Sequence, residues 1–193
     1  MSSRFEILPG LPPYGPPAIS FTHLGPREHR EGLVVRFFPA HGDSWVGNFV
    51  GAAGGPTCNR AIEHPNKRDV IIVAKGDGCI VDPNTRKIRK QLAGSVWEVF
   101  SVPALDLVVL QGLVDFEAIN ADDTGWRSNR ISWDGFRNIE IRGTDVLGEA
   151  LSPPDAWTPF RLDLLTGHCA NGIYEKEMSK AIRIIPIQES GSQ

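Results

Sequence analysis

Phe160-Arg161-Leu162-Asp163-Leu164-Leu165-Thr166-Gly167-His168 sets the reading of the whole chain. Apolar and polar residues alternate from Phe160 to Leu164 as they do on a half-buried strand, and the strand runs into Asp-x-x-Thr-Gly. That segment is a turn, because Asp and Thr side chains bond nearby backbone N–H groups and Gly takes a positive φ without steric cost. The chain should therefore return as a second, antiparallel strand. The same reading applies at Cys79-Ile80-Val81-Asp82-Pro83-Asn84-Thr85-Arg86, at residues 116–126, and more loosely at 35–45. Aligned on residues 37, 82, 120 and 163, the hairpins recur at steps of 45, 38 and 43 residues. A repeat of that length holds one four-stranded unit.

Composition agrees with many turns and short strands. The chain has 20 glycines and 15 prolines in 193 residues, and good helix formers are sparse. A chain of this length buries roughly 70 % of its unfolded surface, so a single domain over residues 1–193 is expected. The formal net charge of −3 argues against general binding to nucleic acid or to anionic membranes. Cys58, Cys79 and Cys169 are odd in number and form no C-x-x-C pair, which reads as reduced thiols in a cytoplasmic protein. Residues 1–9 lack a cationic stretch followed by an apolar run, and no window has the length of a membrane helix.

Residues 1–30 read as a proline-rich N-terminal arm. Pro9, Pro12, Pro13, Pro16 and Pro17 hold it extended, and Phe5, Ile7, Leu8, Leu11 and Tyr14 give it apolar surface to lay across its own domain. Pro13-Tyr14-Gly15-Pro16 is PxxP-like, which suits a proline-binding partner less well than it suits that arm. Strands follow at 33–38 and 45–50, at 69–74 and 79–82, and from Arg86. Further strands are expected at 95–102, 106–110, 115–120, 126–131, 136–142, 145–151, 160–164 and 181–187. Only residues 173–182 hint at helix, through Tyr174, Met178 and Ala181. The glycine-rich loop 51–56 is not followed by the helix that a phosphate-binding loop requires.

Leu162-Asp163-Leu164-Leu165-Thr166-Gly167 resembles the Leu-Asp-x-x-Thr-Gly hairpin of quinoprotein-like and related β-propeller blades. The resemblance covers residues 33–172 and implies an all-β fold of repeated antiparallel hairpins in a small propeller-like array. A β-sandwich is the alternative. WD-repeat signatures do not recur as a periodic set, since Trp133-Asp134 stands alone. The combination Ile131-Ser132-Trp133-Asp134-Gly135, Leu147-Gly148-Glu149-Ala150 and Pro159-Phe160-Arg161-Leu162-Asp163 is also similar to bacterial proteins of no established function, and it brings no catalytic residue with it.

Catalytic and metal constellations are incomplete in the sequence. His168 and Cys169 are neighbours, and on a strand neighbours face opposite ways, so they cannot form a thiol–imidazole pair. The histidines at 23, 29, 41, 64 and 168 include no H-x-H and no H-E-x-x-H. Asn120, Asp122, Thr124 and Gly125 occupy calcium-loop positions, yet Ile131 stands where the bidentate carboxylate belongs, so a polar turn is the better reading. No metal and no cofactor is expected. Arg86-Lys87-Ile88-Arg89-Lys90 is split between two faces by strand alternation and reads as protection of a sheet edge.

The densest mixture of aromatic and polar groups runs from Asp122 to Asp134. Asp122, Asp123, Trp126, Arg130 and Trp133 form the candidate binding set, because Trp and Arg combine large contact area with a polar handle. The sequence thus points to a cytoplasmic binding module for a protein partner or for a second copy of itself. The alternative is a small hydrolase or lyase in which His64, Asp82 and Asp163 converge from separate repeats on a central channel.

Overall fold

Strand β6 (Val70–Ala74) is buried along its whole length, and its alternation places the two cores of the first part of the chain. Val70, Ile72 and Ala74 pack with Leu33, Val35, Phe37, Trp45 and Phe49. Ile71 and Val73 belong to the other core, with Ile80, Val99, Val108, Leu110 and Ile119. A sheet apolar on both faces must have a layer on each side, which is why Val70-Ile71-Ile72-Val73-Ala74 reads as a continuous apolar run. The structure is a computed structural model that describes residues 3–22, 30–52, 55–92 and 94–170.

The protein is all-β, with four four-stranded sheets and no closed barrel among the described residues. The first sheet has the order β1-β3-β4-β2, from β1 (Phe5–Leu8), β2 (Ile19–Thr22), β3 (Leu33–Phe37) and β4 (Trp45–Val50). The second is the meander β5 (Arg60–Glu63), β6, β7 (Asp77–Asp82) and β8 (Lys87–Gln91). The third, β12-β11-β10-β9, holds β9 (Glu98–Val102), β10 (Leu107–Gln111), β11 (Phe116–Ile119) and β12 (Trp126–Arg127). The fourth is the meander β13 (Phe136–Arg142), β14 (Asp145–Ser152), β15 (Ala156–Asp163) and β16 (Cys169–Ala170). Between β9 and β10 lies a 3-10 turn, Pro103–Leu105; no helix of the described residues is long and apolar enough to cross a membrane.

The chain divides into two compact units. The first comprises Met1–Gly112 with Glu117–Gly125, and the second comprises Leu113–Phe116 with the chain from Trp126 onward. In the second unit Phe116, Phe136 and Phe160 form an aromatic cluster with centroids 4.7 to 5.8 Å apart. Val146, Leu162 and Leu164 are wholly buried there. Burying each such side chain stabilises the unit by about 1.5–3 kcal/mol.

The described residues give several of the expected segments a definite place. The segment expected as an arm supplies both edges of the first sheet, with β1 antiparallel to β3 and β2 parallel to β4. The prolines 9–17 only bridge these strands, and Phe5, Ile19 and Phe21 pack against the core. The strand expected at 126–131 stops at Arg127: Ser128 N–H still donates to Phe116 O, but the next bond on that side is from Ile131 N–H to Val114 O, three residues on against two, so regular pairing is lost there. The aligned residues 82, 120 and 163 each end or follow the third strand of a meander, whereas residue 37 ends β3, an inner strand of a mixed sheet. The helix expected at 173–182 and the strand at 181–187 lie outside the described residues.

Candidate functional site

In the first unit, the turn from β5 to β6 builds a buried ionic cluster. Asn66 organises it: its Oδ1 accepts the backbone N–H groups of Arg68 and Asp69, each at 2.9 Å, and its Nδ2 donates to Asp69 Oδ2 at 2.8 Å. Asp69 is 1 % exposed, and it also receives Arg89 Nε at 2.7 Å and Arg68 Nε at 3.3 Å. Arg89 forks onward to both carboxylate oxygens of Asp123 through Nη1 and Nη2. His64, 1 % exposed, closes the cluster, with Nε2 at 2.8 Å from Asp123 Oδ1.

Arg89 reaches this cluster because β8 is bulged. Ile80 pairs with Lys90 and Val81 with Ile88, which leaves Arg89 as the extra residue and breaks strict alternation. Its assignment to edge protection is therefore corrected: Arg89 is the shared cation of two carboxylates. In the sequence only a bulge could have revealed this, and a bulge leaves no signal in a run of charged residues.

Burial, hydrogen bonds and neighbouring charges shift the three titratable groups around Arg89. Burial pushes Asp69 up, but the hydrogen bonds from Asn66 and Arg68 and the charge of Arg89 outweigh it and hold the carboxyl below its ordinary value. The hydrogen bond from Arg89 holds Asp123 down despite burial, and His64 assists. Burial pushes His64 down, with the hydrogen bond to Asp123 pulling the other way. The backbone N–H of Asn66 points at His64 Nδ1 from 3.1 Å, so Nδ1 accepts and the hydrogen-bond pattern assigns the proton to Nε2. Protonating Nδ1 would set two donors face to face. Both nitrogens are thus engaged, and His64 has none to offer a substrate.

Asp122 lies one residue from this cluster but serves the loop itself. Its Oδ1 accepts Thr124 Oγ1–H at 2.6 Å and the Thr124 N–H at 3.0 Å, while Asn120 bonds the same threonine. These bonds account for the loop as a polar turn, and no group of three or more His, Cys, Asp or Glu among the described residues could hold a metal ion. Asp82 likewise accepts the N–H groups of Asn84 and Thr85, at 2.9 and 3.4 Å.

Trp126, Arg130 and Trp133 belong to the second unit. Trp126 is anchored there: its indole N–H donates to Leu164 O at 2.7 Å, and its ring lies against Gly167. Arg130 donates to Ser132 O at 3.0 Å and to Trp133 O at 2.7 Å, and its guanidinium sits 5.4 Å from the centroid of the Trp133 ring. Trp133 is 53 % exposed, and its backbone N–H is fixed to Leu151 O at 2.8 Å. Of the five candidate residues, the fold brings Arg130 and Trp133 together as a held, exposed aromatic group. Asp163 spends its Oδ1 on Leu165 N, Thr166 N and Thr166 Oγ1, all within 2.9 Å, as its turn motif requires.

No family model matches this sequence, and no curated protein matches it. One solved structure is similar, a crystal structure of the eukaryotic initiation factor, with a TM-score of 0.42 and 14 % identity over 72 % of this chain and 39 % of that one. The chain spans about two fifths of that protein's length.

Proposed function

We propose that this protein is a cytoplasmic binding module that recognises a protein partner or a second copy of itself, and that its four sheets are blade-like repeats of the propeller kind. The observation that supports the reading is Trp133, a large aromatic group left 53 % exposed and pinned by Arg130 beneath a fixed backbone. A rigid exposed tryptophan loses little conformational entropy on contact and contributes strongly to binding. The three cysteines are buried and form no disulfide among the described residues, in keeping with a reducing compartment. A hydrolase or lyase reading gains nothing from the residues expected to carry it: His64 has both nitrogens engaged, and Asp82 and Asp163 cap turns.

Capture from a lysate of the native host, with the wild type and Trp133→Ala compared by mass spectrometry, tests this, together with sedimentation velocity for self-association. A protein retained by the wild type and lost with the variant is expected, or a concentration-dependent shift that the variant lacks. Identical retained sets and a monomer for both would overturn the reading.

A further inference from the structure

A second surface of the first unit has a chemistry that the Trp133 reading does not use. A pocket of about 560 Å³ is lined by Ser3, Arg4, residues 38–41, Lys67, Arg68, Pro83 and Asn84. That volume is in the range of about 300–1,000 Å³ typical of small-molecule sites. Arg4, Lys67 and Arg68 bring three cationic side chains to it, His41 adds an imidazole, and no Asp or Glu among the described residues lines it, although the chain as a whole carries −3.

The cations are largely uncommitted. Among the described residues the side chains of Arg4 and His41 have no partner. Among the described residues Lys67 meets only Asp106, at 3.5 Å with both side chains more than 60 % exposed, and such a pair is worth little in water. Arg68 uses Nε on Asp69, which leaves its terminal nitrogens for another acceptor. The walls are held together independently of these side chains: Phe38 N–H donates to Arg4 O at 2.8 Å, Ala40 N–H to Asn84 Oδ1 at 3.1 Å, and Trp45 Nε1–H to Pro83 O at 2.8 Å. The site is therefore preformed, and filling it requires no ordering of its backbone.

We propose that this pocket binds a small phosphate-bearing ligand. Its cations come from separate chain segments around a concave wall, which suits a tetrahedral group that accepts hydrogen bonds from several directions. A carboxylate accepts in one plane. Phe38, 41 % exposed, supplies an apolar wall for the organic part of such a ligand.

Isothermal titration calorimetry of the full chain with inorganic pyrophosphate and with ATP tests the proposal, with citrate as a non-phosphate anion of similar charge. Saturable binding of both phosphates is expected, with citrate about tenfold weaker or more. Arg4→Gln with Arg68→Gln should weaken pyrophosphate binding by about tenfold or more, the loss of one or two charge-assisted hydrogen bonds. Lys67→Gln, on the exposed turn, should weaken it in the same direction with an unchanged melting temperature. No saturable heat with either phosphate, equal affinity for citrate, or unaltered binding by both sets of variants while folded would overturn it.

Discussion

Arg89 Nε donates to Asp69 Oδ2 across 2.7 Å, and the accepting side chain is 0 % exposed whereas Arg89 keeps 32 % of its own exposure. The carboxylate has been moved out of water and the cation only partly, so the pair depends on Arg89 staying in place. Removing one partner of a buried pair leaves an uncompensated charge and costs about 3–5 kcal/mol. Asn66 and Arg68 remain on Asp69 after Arg89→Met, which places the expected loss near the lower end, about 3 kcal/mol. Urea unfolding measures it. Lys87→Met, on the same strand but exposed, should change stability by less than about 0.5 kcal/mol. Equal effects from the two substitutions would mean that the cluster contributes no more than surface charge.

His64 gives stability a pH dependence of known sign. Its pKa in the folded state is lowered, so the unfolded chain binds its proton more readily than the folded one. The His64 contribution is therefore complete above the unfolded histidine value of about 6.5 and is lost as pH falls below it. Asp69 and Asp123, also lowered, contribute above the unfolded carboxylate value of about 3.9 and lose their contribution only as pH falls through their folded values. Denaturant midpoints should decline first from about pH 7 to pH 5, and His64→Gln should flatten that limb while leaving the acid limb. A wild-type midpoint that is level between these values would refute the neutral, buried imidazole.

Gly167 holds φ at +71°, and a Cβ there would lie 2.6 Å from Trp126 Cε3. Gly167→Ala therefore combines left-handed backbone strain with a clash against a ring that is itself tied to Leu164 O. We expect a loss of about 1–3 kcal/mol and a shift in tryptophan emission. Gly143→Ala has comparable positive φ, +59°, with nothing within 4 Å of its Cβ, and should lose only the backbone part, about 1 kcal/mol. Similar losses for both would show that the indole does not press on residue 167.

What the sequence revealed follows from how local the cause was. The hairpins at Asp82 and Asp163 were legible because the Asx-type turns are built within five residues, and the bonds to Asn84, Leu165 and Thr166 are those the residue types imply. β6 was legible because burial on both faces leaves a continuous apolar run. β2 was not, since Ile19–Thr22 is four residues long and its place depends on parallel pairing with β4, a partner about 28 residues away. The ionic cluster was hidden for the same reason: His64 and Asp123 are 59 residues apart, and the bulge that turns Arg89 toward Asp69 is a property of the pairing of β7 with β8. Asp122 and Asp123 are adjacent acids in one polar loop, yet one caps its own turn and the other completes a network, a division that composition does not encode.

The thiols provide a probe of opening in the first unit. Cys79 sits on β7 with 6 % exposure, and burial pushes its thiol up to about 12, with the charge of Asp77 acting in the same direction. Cys58 is raised as well, by burial first and then by Glu98. Only the thiolate attacks a disulfide reagent, and at about pH 8 a thiol with a pKa near 12 is ionised to about one part in ten thousand. Occlusion lowers the native rate further. Treatment of the native protein with an aromatic disulfide reagent, followed by peptide mass mapping, should therefore leave Cys79 unmodified over the time in which a free thiol reacts completely. In about 6 M guanidinium it should react as fast as a free thiol. Because Cys79 packs in the same core as Phe37 and Ile72, its labelling rate should rise with sub-denaturing urea in step with Ile72→Ala, which costs about 2–5 kcal/mol. Prompt labelling of Cys79 in the native protein would mean that β7 opens without unfolding the core, and the packing of β6 between its two layers would have to be abandoned.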